Sequence, residues 1–142
     1  MPHFEYASPL FIGLSKGLSA KLESTNAFAL STLLNHSKSI AYEELLKMEH
    51  RRIEQALVLV CKSFYGQAPN NIQGMFTRRS NGYSLLGTHK VVIPRPTSSY
   101  MLQSFKYQAS KQSNNLPDKI RTSESLIYIL DELTRHTVVL II

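Results

Sequence analysis

A mainly α-helical fold follows from this sequence, a small helical domain or fragment with at most a short strand or hairpin near residues 90–93. Three observations predict it. Apolar residues recur at three- and four-residue steps over long stretches, cap and stop residues bracket those stretches, and within the body of the chain a single run, Lys90-Val91-Val92-Ile93, reads as a strand.

The first helix is expected over 15–34. Leu14, Leu18, Leu22, Thr25, Ala29 and Leu33 make its stripe, with Lys16, Lys21 and Glu23 off it and Ser15 as N-cap. Asn35–Ser39 breaks the pattern, and Ser39 can cap a short helix over 40–47 whose Glu43 and Glu44 suit the dipole. The strongest helix runs over about 49–65. Ile53, Leu57, Val60 and Phe64 form its stripe and Ala56 widens it, while Glu49, Arg51, Arg52, Glu54 and Gln55 face away. Leu57 and Val60 are therefore expected to be fully buried. Gly66 is placed as the C′ residue and Pro69 follows as a stop.

A short helix from Pro69 or Asn70 to Met75 buries Ile72, Met75 and Phe76. Residues 77–87 are polar and turn-rich, centred on Arg78-Arg79-Ser80-Asn81-Gly82. The strand at 90–93 ends in Pro94-Arg95-Pro96, which forces an extended exit. Residues 102–113 read as helical, Leu116-Pro117-Asp118 as a turn, and 123–135 as a last helix with Leu126, Ile129, Leu130 and Leu133 in its core stripe. The apolar tail 137–142 either packs as a short strand or helix end or marks the chain as a fragment.

The 142 residues suit one domain or a piece of a larger one, and 43% hydrophobic with 18% charged residues excludes collagen-like, coiled-coil and disordered classes. A single cysteine, Cys61, excludes an internal disulfide framework and a multi-cysteine zinc site. No apolar run is long enough to span a bilayer and no signal h-region is visible, so an intracellular location, cytoplasmic or nuclear, is expected.

The net charge of +6 is unevenly spread. From Gln55 to Pro117 there is no Asp or Glu, yet the segment holds Lys62, Arg78, Arg79, Lys90, Arg95, Lys106 and Lys111 among Phe64, Tyr65, Phe76, Tyr83, Tyr100, Phe105 and Tyr107. Cations neutralise phosphates and rings stack on bases, so this interleaving suits nucleic acid. The plainer reading makes the aromatics core and the cations a solvated face. It leads for the aromatics, since Phe64 and Phe105 fall at core-like positions, and for Arg78 and Arg79 the two readings weigh equally. The candidate nucleic-acid-binding residues are Arg78, Arg79, Lys90, Arg95, Lys106 and Lys111.

No catalytic constellation stands out. Gly-rich phosphate loops are absent, and the histidines (His3, His36, His50, His89 and His136) form no H-x-x-x-H pair. Glu43-Glu44, Glu49 and Asp131-Glu132 read as surface charges on helices, and Cys61 as a small hydrophobe rather than a nucleophile. No catalytic residue, metal, cofactor or small-molecule ligand is expected.

Read in order, several stretches resemble the C-terminal end of reverse transcriptases from non-LTR (LINE-type) retrotransposons. Pro2–Phe11 resembles the family's P-H-F-D-Y-C-S-P-V-W, and Leu14-Ser15-Lys16 with Lys21-Leu22-Glu23 resembles L-S-K … K-L-Q. Arg51-Arg52, Gln55-Ala56-Leu57 and Phe64–Pro69 resemble R-R … K-A … F-K-A-L-N-G-L-A-P. Met75–Ser80 is similar to F-T-x-R-S, and Val91–Pro96 to V-V-P-x-P. Tyr100, Ser104–Tyr107, Asn114–Arg121 and Ser125-Leu126 resemble Y-x-x-S-F-x-Y … W-N-S-L-P-x-x-I-R … S-L. The likeness runs to about His136.

The resemblance implies that residues 1–136 are a thumb and post-thumb region, whose helices grip a template–primer duplex, so the implied partner is an RNA or DNA duplex or hybrid. It also implies that the polymerase palm, with its metal-holding Tyr-x-Asp-Asp turn, lies upstream of residue 2 and that Met1 is internal to a longer frame. The chain is then not an enzyme on its own; its two aspartates, Asp118 and Asp131, stand in unrelated contexts. The family's cysteine is Ala7 here and its tryptophans are Phe11 and Ser113 or Asn114, losses that point to a diverged or decayed copy. The alternatives are a small helical protein–protein interaction module and a remnant without selected function.

Overall fold

From Ile53 to Phe64 apolar residues recur at three- and four-residue steps, and in the computed structural model the helix that carries them, Met48–Phe64, is the spine of the fold. The structure describes residues 7–33, 48–79, 89–122, 128–129 and 131–132. The expected helix 40–47, the Ser80–Gly82 turn, most of the helix expected over 123–135, and the tail 137–142 lie outside the described residues. The elements are a 3-10 helix at Ser8–Gly13, then α1 (Lys16–Leu33), α2 (Met48–Phe64), α3 (Asn70–Gln73), α4 (Ser99–Gln103), α5 (Phe105–Asn115) and α6 (Asp118–Arg121). The protein is mainly α-helical, as its sequence predicts.

The stripe read on α2 divides between two clusters. Ala56 and Val60, with Phe64 at the rim, pack with Phe76, Val91 and Ala109. Leu57, with Ile53 and Cys61 beside it, packs with Leu116, Ile120 and Ile129. Residues four apart lie one above the other on a helix, so 56-60-64 and 53-57-61 are adjacent stripes and α2 is covered on both. Leu57 and Val60 are buried as expected. The 3-10 helix, α2 and α5 pack against one another, with Ile12 of the 3-10 helix and Ala109 of α5 in the first cluster. Phe76 and Phe105 meet edge to face there, ring centroids 5.8 Å apart.

α2 stops where expected. Gly66 takes φ 69°, and the Gln67 N–H donates to the Lys62 carbonyl at 2.9 Å, the wider bond of a Schellman end.

Two helix faces differ from those expected. Arg52 does not face away: it is only 3% exposed, and its Nη2 donates to the Ser19 hydroxyl at 2.7 Å. The stripe read on α1 is not its packed face, since Leu18 and Thr25 are exposed. Ser19, Glu23 and Asn26, at i, i+4 and i+7, form the face that meets α2 or is buried: Glu23 accepts from the Met48 N–H at 3.2 and 3.3 Å, and Asn26 is buried. A carboxylate at a helix N-terminus and a hydroxyl on one nitrogen of a buried guanidinium give partners to groups whose desolvation costs more than exposing one leucine.

The helix expected over 102–113 is two helices, because Ser104 turns the chain. Its backbone is extended, its hydroxyl donates to the Met101 carbonyl at 2.7 Å, and it accepts from the Tyr107 N–H at 3.3 Å, ending α4 and capping α5. The strand expected at 90–93 is reduced to an isolated antiparallel bridge between Arg78 and Val91. Among the described residues, no helix is long and apolar enough to cross a membrane.

Candidate nucleic-acid interface

The bridge fixes the register of the basic residues. The Arg79 N–H donates to the Lys90 carbonyl at 2.8 Å and the Val92 N–H to the Thr77 carbonyl at 2.9 Å, so Arg78 stands opposite Val91 and Arg79 opposite Lys90. Val91 is buried in the first cluster, which turns the Arg78–Val91 face towards the body of the protein. The pleat then puts Arg79 and Lys90 together on the other face. Like charges directly across a ladder repel, so this pair favours an anion over it.

Arg78 lies against the protein without an acidic partner among the described residues. Its guanidinium carbon sits 4.6 Å from the centroid of the Phe64 ring, within cation–π range. Arg95 is exposed in the extended stretch between Pro94 and Pro96. Lys106 and Lys111 are both exposed on α5, but five residues separate them by about 140° around a helix. The structure thus sets Arg79 opposite Lys90, with Arg78 on the other face of the same bridge, and does not gather Lys106 and Lys111 on one face.

The aromatics divide in the same way. Phe76 and Phe105 are core, and Phe64 packs against it while carrying Arg78. Tyr100 on α4 is 84% exposed, the most open of the described rings, and lies five residues beyond Arg95. Both readings of the basic, aromatic middle segment therefore hold, each for different residues.

Beside the bridge is a small cleft of about 30 Å³, lined by the basic residues Arg78, His89 and Arg121, by Tyr65 and Ser113, and otherwise by Cys61 and apolar side chains of the two clusters. Arg121 and His89 were not among the residues singled out. Arg121 sits four residues beyond Pro117 in sequence, and only the turn into α6 carries it back to α2. One of its Nη atoms bonds the Asp118 carboxylate, while its Nε is buried with no acceptor. Burial pushes the Cys61 thiol up to about 11, with the Arg78 charge pulling the other way. A thiol that stays protonated at neutral pH is a poor nucleophile. Among the described residues no group of three or more His, Cys, Asp or Glu side chains is placed to hold a metal ion. No family model, curated protein or solved structure matches the chain.

Proposed function

We propose that this chain is a non-catalytic nucleic-acid-contacting region, of the kind that forms the thumb and post-thumb part of a non-LTR retrotransposon reverse transcriptase, and that it grips RNA or DNA duplex or hybrid without sequence preference. The observation that carries this reading is the pairing of Arg79 with Lys90 across the bridge, with Arg78 beside it and no acidic residue anywhere between Gln55 and Pro117. Such a cluster lowers its own repulsion by displacing counterions from a polyphosphate. Among the described residues no helix presents a row of base-reading side chains, so contact with phosphates dominates.

Two of the stretches that carry the resemblance touch each other. The Asn114 side chain, in the stretch that resembles W-N-S-L-P, bonds the backbone of Val91, in the stretch that resembles V-V-P-x-P.

Fluorescence anisotropy with a random-sequence hybrid duplex across a salt series tests the reading. Four phosphate contacts give a slope of log K against log salt near about −3.6. Arg78→Ala with Arg79→Ala flattens it by up to about 2 and weakens all sequences alike.

A second reading has its own observation. Leu10 and Phe11 on the 3-10 helix and Leu102 on α4, elements in contact, are exposed and apolar, as a protein-docking face would be. Salt-independent binding, or none at low salt, puts this helical interaction module ahead.

A further inference from the structure

The cleft beside the bridge carries more than a surface field. We propose that it is a seat for one phosphate group of the bound nucleic acid, received by Arg78, Arg121 and His89. This rests on the nucleic-acid reading and adds to it a defined pocket and two residues outside the basic patch.

Three observations support the assignment. Three of the five polar lining side chains, Arg78, His89 and Arg121, are basic, the other two are Tyr65 and Ser113, and no carboxylate lines the cleft among the described residues. Arg121 has a side chain only 11% exposed, one nitrogen on Asp118, and a buried Nε–H that lacks an acceptor. The Asp118 carboxylate that it holds is 75% exposed, so that bond is screened by water and leaves much of the guanidinium's field to an anion in the cleft. Finally, the walls are Val60, Val91 and Ile120, so a charge-assisted bond formed there is shielded from water and stronger than one at the open surface. The volume of about 30 Å³ is roughly two to three times what one water needs, which suits the oxygens of a phosphate and excludes a base. His89 and Arg78 are chain neighbours of Lys90 and Arg79 and alternate with them, so the cleft adds a second cationic surface on the opposite face of the bridge from that pair.

Cys61 lines the same cleft and is the chain's sole cysteine, which makes it a reporter of occupancy. The experiment follows iodoacetamide labelling of the full chain at pH 9 and low salt by intact mass, alone, with random hybrid duplex, and with inorganic phosphate. Duplex is expected to slow labelling several-fold, because an anion both covers the thiol and cancels the Arg78 charge that helps ionise it. Arg121→Gln removes this protection and flattens the salt slope by about one. Arg121→Lys, folded by circular dichroism, keeps the charge without the guanidinium's fork of donors and protects partly. Lys106→Ala weakens binding but leaves protection intact at saturation. Duplex that binds without slowing labelling overturns the cleft and spares the nucleic-acid reading. Protection by inorganic phosphate without duplex binding upholds an anion cleft and overturns its nucleic-acid source. Neither binding nor protection overturns both.

Discussion

The Asn114 side-chain amide satisfies both outward backbone groups of Val91: Oδ1 accepts from the Val91 N–H at 2.8 Å, and Nδ2 donates to the Val91 carbonyl at 2.9 Å. In the antiparallel register with Arg78, the N–H and carbonyl of Val91 point away from the paired segment, where a further strand would otherwise be needed. The amide stands in for that strand. It fastens the bridge to the last turns of α5 and holds Val91 in the core.

Asn114→Ala leaves two partly buried backbone groups without partners. At about 1–3 kcal/mol for each of the two lost partners, the variant is expected to be about 2–6 kcal/mol less stable. Asn114→Asp keeps an acceptor for the Val91 N–H and loses the donor, so it falls between. Urea denaturation followed by circular dichroism orders the three proteins; an Asn114→Ala midpoint equal to that of the parent removes the clamp from the account.

Leu57 is the centre of the second cluster, touching residues from the α5–α6 turn and Ile129. Leu57→Ala is expected to cost about 2–5 kcal/mol, a large share of a small domain's stability. Thermal melting checks it: a variant that melts within a degree or two of the parent contradicts the burial of Leu57.

What the sequence disclosed, and what it hid, follows one physical line. The period of Ile53, Leu57, Val60 and Phe64, with Gly66 past the end, was readable because burial on α2 is hydrophobic and its stop is local. On α1 the same kind of period misled, because the side that meets α2 is chosen by Arg52 and the Met48 N–H, partners that are remote in sequence. Ser104 looked like one more helix residue until its hydroxyl was seen bonding both α4 and α5. Among the candidate site residues, the nearness of Arg79 to Lys90 required a pairing register, and that of Arg121 to Arg78 required two turns of the chain. Composition disclosed the cations but not their neighbours.

Two glycines separate steric from conformational need. A Cβ on Gly13 would lie 1.8 Å from the Gln103 carbonyl oxygen and 2.6 Å from its carbon, so the 3-10 helix and α4 would have to part. Around Gly66 there is open space, and the need is its φ of +69° alone. Gly66→Ala is expected to cost roughly 1–2 kcal/mol. Gly13→Ala is expected to cost more and to loosen α4, read as faster amide exchange at Met101 and Gln103. Equal melting temperatures for the two variants contradict the close approach.

The Cys61 thiol ties stability to alkaline pH. Its folded value, about 11, lies above the roughly 8.5 of an unfolded cysteine, so the folded state holds the proton more tightly. That contribution is complete below the unfolded value and is lost as pH rises through about 11. Between these limits the wild type should lose stability faster than Cys61→Ala, since lysines and tyrosines titrate in both. Arg78→Ala, which removes the charge that lowers the thiol, moves the loss to higher pH. Denaturation midpoints of the three proteins at half-unit steps check the sign; a wild type that tracks Cys61→Ala throughout overturns it.

Stacking and phosphate contact predict different signatures at Tyr100 and at the Arg79–Lys90 pair. Tyr100 is open to solvent, and a base laid on its ring is worth about 1–3 kcal/mol with little dependence on salt. Tyr100→Ala is therefore expected to weaken single-strand binding by about 5- to 150-fold while the salt slope stays as in the parent. A duplex offers no free base face along its length, so the same variant changes duplex affinity much less. Arg79→Ala with Lys90→Ala does the reverse, flattening the slope by up to about 2 for duplex and single strand alike. The paired change also relieves like-charge repulsion across the bridge, so the free protein should become slightly more stable as its affinity falls. Lys16 and Lys21, on α1 near Glu23, are expected to change the slope little. Anisotropy with both probes and one melting curve for each variant separate these outcomes: a double variant that is less stable than the parent removes the repulsion on which the Arg79–Lys90 interface rests.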